Sequence, residues 1–538
     1  MGGPARSRRR GLRPADRPRA PDDQRTPRRA RDVNPDSAAV DDRPNVVLIC
    51  ADQWRGDCLG SAGHAMVNTP YLDQLAGRGV RFDRAYSATP TCIPARAALM
   101  TGMSQQGHGR VGYEEGRPWR YPVTLAGEFR RHGYHTQAIG KQHVWPERAR
   151  LGFDDVLLHD GYVHHSRDGL RDPAAYDDFL PWLKREAGSD ADYADDGIDC
   201  NSVVARPWDK PESWHPTNWV AAEGVRWLHR RDPTVPFFLY LSFHRPHPPY
   251  DPPRWAFEQY LGLEPHVPPV GDWAHMYDAW RDDSRADAHV ARYPQRVLDR
   301  ARAGYYGAMT HIDQQINRFL IGLDEHGLGR NTYIMFTSDH GEMLGDHGMF
   351  RKGYPYEGSA RVPLILAGPP GSRLPAGTSS TAVVELRDIM PTLLECAGLP
   401  IPPTVEGVSL LPHVGGEAAG TPAVREYLHG EHTLAGQSLQ WIVTHRWKYV
   451  WLSGTGHEQL FDLGADPREL HDLAAAPDHA ADLERLRGHL VAELTGREED
   501  YVADGALVPG RAPINTLTRT AGDRAGSAAS RRSGPLTD

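Results

Sequence analysis

The sequence predicts an α/β protein: a large mixed, mostly parallel sheet sandwiched by helices, followed by a smaller C-terminal domain of antiparallel sheet and helix. Three observations carry that prediction. Short apolar, β-rich runs alternate with helical stretches from Arg43 to about Gly420, polar acid/base residues directly follow the runs, and the pattern changes after Gly420.

Asn45–Ala51, Thr136–Ile139, Pro236–Phe243, Thr332–Thr337 and Val362–Leu366 read as buried strands, because continuous apolar runs suit strands covered on both faces. The proline-rich stretch Pro246–Pro253 reads as a loop. Beyond Gly420, Leu439–Thr444, Trp447–Leu452 and Gln459–Leu463 read as antiparallel strands. Leu483, Leu486, Leu490 and Leu494 recur at helical spacing and supply the covering helix. The flanks are polar and proline-rich and cannot bury enough apolar surface to offset chain entropy. The expected division is a disordered basic extension at 1–42, a main domain at 43–420, an α+β subdomain at 421–500 and a disordered tail at 501–538.

The 538 residues carry a net charge of −9, which gives no general attraction to nucleic acid or to an anionic membrane. Five scattered cysteines, Cys50, Cys58, Cys92, Cys200 and Cys396, form neither a disulfide framework nor a CxxC zinc pair. The Arg-rich start lacks the apolar core of a secretory signal, and no later run reaches membrane-spanning length, which predicts a cytoplasmic location. That start also fits an extension created by a misassigned start codon.

Ligands of open α/β sheets bind beyond the carboxyl ends of the strands. Asp52 and Gln53 follow the first predicted strand, Lys141 and His143 the second, His244 and His247 the third, and Asp339 and His340 the fourth. Taken singly, Asp52 reads equally well as a helix cap, and His247 as packing in a proline loop. Zinc on His244 and His247 lacks a nearby third ligand. Thr91-Cys92-Ile93-Pro94-Ala95-Arg96 reads as a turn entering a helix, with Pro94 in its first turn and Cys92 at its N-terminus. Such an end attracts an anion, and Arg96 adds a fixed positive fork. Alone, Cys92 would be another buried thiol.

Cys92-Ile93-Pro94-Ala95-Arg96, continued by Ala97-Ala98-Leu99-Met100-Thr101-Gly102, resembles the CxPxR signature of type I sulfatases, which have an alkaline phosphatase-like fold. Asn68–Asp73, Gly140-Lys141-Gln142-His143, Pro246-His247-Pro248, Ser338–Glu342 and Lys352 follow the same family order. The resemblance implies a sulfatase catalytic domain over 43–420 and conversion of Cys92 to formylglycine by a separate maturation enzyme. It also implies one divalent metal, usually Ca2+, held by Asp52, Gln53, the modified Cys92, Asp339 and His340. A nitrogen ligand at His340 keeps Mg2+ and Mn2+ open.

By the same resemblance Arg96 positions the hydrated aldehyde, Lys141 and Lys352 clamp the sulfate, His247 protonates the leaving alcohol and His143 is the later base. The substrate would be a small-molecule or carbohydrate sulfate ester, with no nucleic-acid or membrane partner. Two other readings stand beside this one: a phosphonate monoester or phosphodiester hydrolase of the same superfamily, and a non-catalytic binder of sulfated glycans. The Lys141/His143 pattern resembles the sulfatases more than the phosphonate hydrolases. Specificity would come from the loops Asp160–Pro216 and Tyr250–Arg281, whose aromatic residues read either as surfaces that stack on a sugar or aryl ring or as packing under long loops, with Tyr354–Glu357 as a wall of the substrate subsite.

Overall fold

A computed structural model describes residues 1–2, 41–161, 172–265, 267–414 and 424–518. The expected basic extension lies almost wholly outside the described residues, as do residues 519–538 of the expected tail.

Nine strands form the main sheet: β1 (Asn45–Asp52), β2 (Val80–Tyr86), β3 (His135–Gly140), β4 (Asp155–Leu158), β5 (Phe237–Pro246), β6 (Thr332–Ser338), β7 (Arg361–Val362), β8 (Leu364–Ala367) and β9 (Thr378–Glu385). Their order is β4-β3-β5-β1-β6-β8-β2-β7, with β9 also on β2. The run β4-β3-β5-β1-β6 is parallel throughout, and β8 turns the sheet antiparallel against β6. Both faces are covered. In β1, Val47, Ile49 and Ala51 enter one core with Tyr305, Ile312 and Phe319 of the Gln295–Glu325 helix, while Val46, Leu48 and Cys50 enter another with Leu99, Phe129 and Leu393. Two-sided burial is why the central strands read as unbroken apolar runs.

The expected strand Val362–Leu366 differs in one respect. Pro363 interrupts it, separating β7 from β8, because proline has no N–H to give a ladder.

A second sheet of four antiparallel strands, β10 (Leu428–Leu434), β11 (Gln437–Val443), β12 (Trp447–Leu452) and β13 (Glu458–Asp462), is covered by the Ala480–Leu494 helix. Its alternation divides two cores. Trp447, Tyr449 and Trp451 pack with Leu486 and Leu490 of that helix, whereas Leu439, Trp441 and Val450 pack toward Tyr86, Tyr354 and Tyr356. Residues 501–518, expected as tail, carry structure of their own. Val502–Ala503 pairs with Ala506–Leu507, and the Asn515 carbonyl accepts from the N–H groups of Val111 and Gly112, each at 3.0 Å. Backbone hydrogen bonds and a few apolar contacts hold this segment, with Tyr501, Val502 and Leu507 packed against Trp451 and Leu490, a pattern too sparse to show in its composition.

Among the described residues no helix is long and apolar enough to cross a membrane. No disulfide forms either; Cys50, Cys58, Cys92 and Cys396 are buried free thiols, and Cys200 is half-buried.

One buried ion group anchors β10. Arg497 donates to both Glu431 oxygens at 2.8 and 2.7 Å and to Glu499, with all three residues buried. Arg497→Ala would leave two buried carboxylates without their cation, a loss of roughly 3–5 kcal/mol. Urea unfolding of the variant measures it; a change below about 1 kcal/mol would mean the carboxylates find water instead.

Candidate active site

The carboxyl ends of β1, β3, β5 and β6 meet at one rim, where Asp52, Lys141, His247 and Asp339 emerge. Gly140 makes the β3 turn possible. Its φ is +100°, and an added Cβ would collide with the Ser242 carbonyl oxygen on β5. Asp160 then accepts from the backbone N–H groups of Gln142 and His143 at 2.7 and 2.9 Å, fixing His143 at a φ of +57°.

Cys92 opens the Cys92–Thr101 helix, with Thr91 as N-cap, and Pro94 costs nothing because first-turn N–H groups have no intrahelical partner. Arg96 lies one turn along, on the same face. Its guanidinium donates to Asp339 Oδ2 at 2.9 Å, the Lys141 carbonyl at 2.9 Å, Ser242 Oγ at 3.0 Å and Tyr240 Oη at 3.1 Å. Nη2 is the exception. It is buried without a hydrogen-bond partner among the described residues, 3.7 Å from Asp52 Oδ2.

Asp52, Cys92, Asp339 and His340 converge, with their donor atoms all within 4.8 Å of one another and all four side chains buried. His340 Nδ1 donates to the Gly341 carbonyl at 2.9 Å, which leaves the Nε2 lone pair facing Cys92 Sγ at 3.2 Å and Asp52 Oδ1 at 3.5 Å. Carboxylate oxygens and an imidazole lone pair thus face each other as acceptors. A cation fits that gap, and the donor set of two carboxylates and one imidazole suits a divalent ion.

The surrounding charges are balanced by position. Burial pushes the Asp52 carboxyl up, but the charge of the adjoining Lys141 and the further cations overcome it, holding it well below the usual carboxylate range. Burial alone would lower Lys141; Asp52 carries it above its ordinary value. Lys352 has no such carboxylate contact, and burial lowers it. Its Nζ reaches Gln53 Oε1 at 2.7 Å and His247 Nε2 at 2.6 Å. His247 Nδ1 donates to the Pro248 carbonyl at 2.8 Å, and burial followed by the Lys352 charge holds its imidazole well below the ordinary value.

The cluster opens into a cavity of about 400 Å3 whose lining includes Cys92, Lys141, His143, His247 and Lys352. The expected residues therefore converge, with one difference. Gln53, expected as a metal ligand, has its amide oxygen on Lys352 and its amide nitrogen on Glu342, so its side chain bridges the lysine to a buried carboxylate. Its backbone N–H donates to Asp339 Oδ1 at 3.1 Å.

The expected substrate wall at Tyr354–Glu357 is overturned: Tyr354 and Tyr356 are fully buried in the core with Trp273 and Trp441, the fate of large apolar rings that can satisfy their hydroxyls inside. Of the two expected specificity loops, Asp160–Pro216 reaches the cavity through Cys200 and Asn201, and its residues 162–171 lie outside those described. In Tyr250–Arg281, where His266 lies outside them, Tyr250, Tyr260, Trp273 and Tyr277 are buried packing. His244 accepts from Arg245 at 2.7 Å through Nδ1, and the cations beside it disfavour zinc. The sequence reading missed Thr91, Glu115, His289, Arg351 and His432, which also line the cavity.

The sulfatase family model matches residues 44–399, and the model for the C-terminal region of N-sulphoglucosamine sulphohydrolase matches residues 345–495. An arylsulfatase of Clostridium perfringens is 47% identical over 481 residues, spanning 88% of this chain and 99% of its own. A choline-sulfatase of Rhizobium meliloti is 32% identical over 448 residues, 81% of this chain and 83% of its own. Among solved structures, the phosphonate monoester hydrolase of Agrobacterium radiobacter aligns with a TM-score of 0.69 at 30% identity, covering 84% of this chain and 95% of that one. The first of these matches spans every strand end that builds the rim, and the chain belongs to the sulfatase family, enzymes that hydrolyse sulfuric esters.

Proposed function

We propose that this sulfatase cleaves a sulfate monoester of an aryl alcohol or carbohydrate, with formylglycine made from Cys92 as its nucleophile. The observation that carries the reading is the position of Cys92, at a helix N-terminus and against Asp52, His340 and Lys141. A separate maturation enzyme, using an external oxidant, replaces the thiol by an aldehyde.

Asp52, Asp339 and His340 would hold one divalent cation, most simply Ca2+, with Mg2+ or Mn2+ the alternatives a nitrogen ligand allows. A cation held there would supply Lewis acidity to a hydroxyl on Cβ of residue 92 and to the sulfate oxygens. Lys141 and Lys352 neutralise the sulfate oxygens, and the unpartnered Arg96 Nη2 has capacity for one more.

One hydroxyl of the hydrated aldehyde attacks sulfur, and the ester S–O bond breaks as the alcohol takes a proton from the His247–Lys352 pair. His143 then removes the proton of the second hydroxyl, the C–O bond to sulfate breaks, and the aldehyde returns. Neither ring nitrogen of His143 has a hydrogen-bond partner among the described residues, and Nε2 lies 3.9 Å from Glu115 Oε1, which lines the same cavity. Residues 43–420 carry this chemistry, and 421–500 form the C-terminal α+β subdomain.

The phosphonate monoester hydrolase likeness makes the second substrate class worth a direct comparison. Kinetics on 4-nitrophenyl sulfate and on a 4-nitrophenyl phosphonate monoester should give kcat/KM at least roughly tenfold higher for the sulfate. A preference for the phosphonate overturns the assignment.

A further inference from the structure

The alcohol half of the substrate must lie on the open side of the catalytic cavity, and the cavity does not end there. A second cavity, of about 430 Å3, adjoins it. His289, Arg351 and Leu434 line both, so they form the neck between them.

Two buried polar atoms at this neck have no hydrogen-bond partner among the described residues: Arg351 Nε and His289 Nδ1. The Arg351 guanidinium makes one hydrogen bond, from Nη1 to the backbone carbonyl of Asp287 at 3.1 Å. No carboxylate lies within ion-pair distance of it among the described residues. That separates Arg351 from two of the cations nearby. Lys141 sits on Asp52, and Arg285 in the outer cavity is paired with Asp287 at 2.7 Å. The remaining carboxylate of the outer cavity, Asp282, accepts from Ser284 N and Oγ.

The backbone reinforces the point. Arg351 holds a φ of +68°, a conformation non-glycine residues rarely adopt, and its N–H is pinned to Glu342 Oε1 at 2.5 Å. Adjacent side chains thereby serve two places: Lys352 turns inward to Gln53 and His247, and Arg351 lines the neck. An unpaired guanidinium beside an unsatisfied ring nitrogen is a site for an anion.

We propose that this neck binds a second anionic group, a carboxylate or a second sulfate, carried by the alcohol half of the sulfate ester, with Arg351 as its cation and His289 as its hydrogen-bond donor. The inference rests on the sulfatase reading for the position of the first sulfate. Burial, and then the charge of Arg351, lowers the His289 imidazole to about 3, so it meets the anion as a neutral donor.

Binding to Cys92→Ala protein separates this claim from the chemistry, because stable aryl sulfonates can stand in for the esters. Calorimetry would compare benzenesulfonate with benzene-1,3-disulfonate and with 3-sulfobenzoate. At least one of the two dianions should bind about tenfold or more tightly than the monoanion, the effect of one charge-assisted pair. Which of them does so tells sulfate from carboxylate. In Cys92→Ala/Arg351→Met the ratio should fall to about one, and in Cys92→Ala/Arg351→Lys it should largely persist. Equal affinities for all three ligands, or a preference that survives Arg351→Met, overturns the proposal. Failure of the wild-type enzyme to hydrolyse any sulfate ester would instead count against the function, with this binding ratio unaffected.

Discussion

Replacing Cys92 with alanine is expected to lower kcat/KM for an aryl sulfate by about 10^4-fold or more, the scale on which removal of a nucleophile acts. The fold should survive. Cys92 is buried but small, its thiol accepts no strong hydrogen bond that a neighbour depends on, and alanine is a better helix former at the same position. Steady-state kinetics together with the urea unfolding midpoint of Cys92→Ala separates lost chemistry from lost structure. Cys92→Ser is the sharper variant. A serine has one hydroxyl where a hydrated aldehyde has two, so it can accept a sulfuryl group but has no second hydroxyl with which to expel it. The expected result is at most a single stoichiometric release of alcohol, with the sulfate left on residue 92. Steady turnover by Cys92→Ser would mean that water, not a second hydroxyl, releases the sulfate.

His247→Ala carries the second large effect, and its size should depend on the leaving group. The His247 ring is tied through Nδ1 to the Pro248 carbonyl and meets Lys352 through Nε2, so the pair holds the proton nearest the cavity. General acid catalysis supplies about 10^2 to 10^4-fold when the departing alcohol is a poor leaving group. An alkyl or sugar sulfate should therefore lose activity on that scale in His247→Ala. 4-Nitrophenyl sulfate, whose phenolate leaves without help, should lose far less. A plot of log kcat/KM against leaving-group pKa tests this, since the variant should show the steeper dependence. Parallel lines would move the proton donor to another residue.

The parts of the molecule legible from sequence were those in which one kind of side chain performs one task. The central strands are covered on both faces, and their unbroken apolar runs said so. β2 and β10 were not legible in the same way: Val80–Tyr86 interleaves Arg and Asp with its apolar residues, and Leu428–Leu434 has His, Gly, Glu and Thr where an apolar run would be expected. The strand character of β2 comes from pairing with the distant β9, and that of β10 from a tight hairpin with β11. The rim residues were found because each strand end places its polar residue next to an apolar run.

Gln53 shows the limit of that logic. Its place after β1 marked it for the site, but position along the chain does not say where an amide points, and Lys352 and Glu342 claim both of its ends. Tyr354 and Tyr356 erred in the opposite direction. They stand close after Lys352 in sequence, yet their rings turn into the core between the two sheets. A single arginine beside a lysine carries no pattern in the sequence; only the neck between two cavities gives Arg351 meaning.

Everything in the mechanism passes through the side chain of residue 92. Peptide mass spectrometry of the native protein across Thr91–Arg96, with carbonyl-specific labelling, tests it most directly. The account predicts a peptide with the mass deficit of a thiol replaced by an aldehyde and reactive toward a hydrazide. An unmodified, alkylatable Cys92 in protein that still turns over sulfate esters would contradict it.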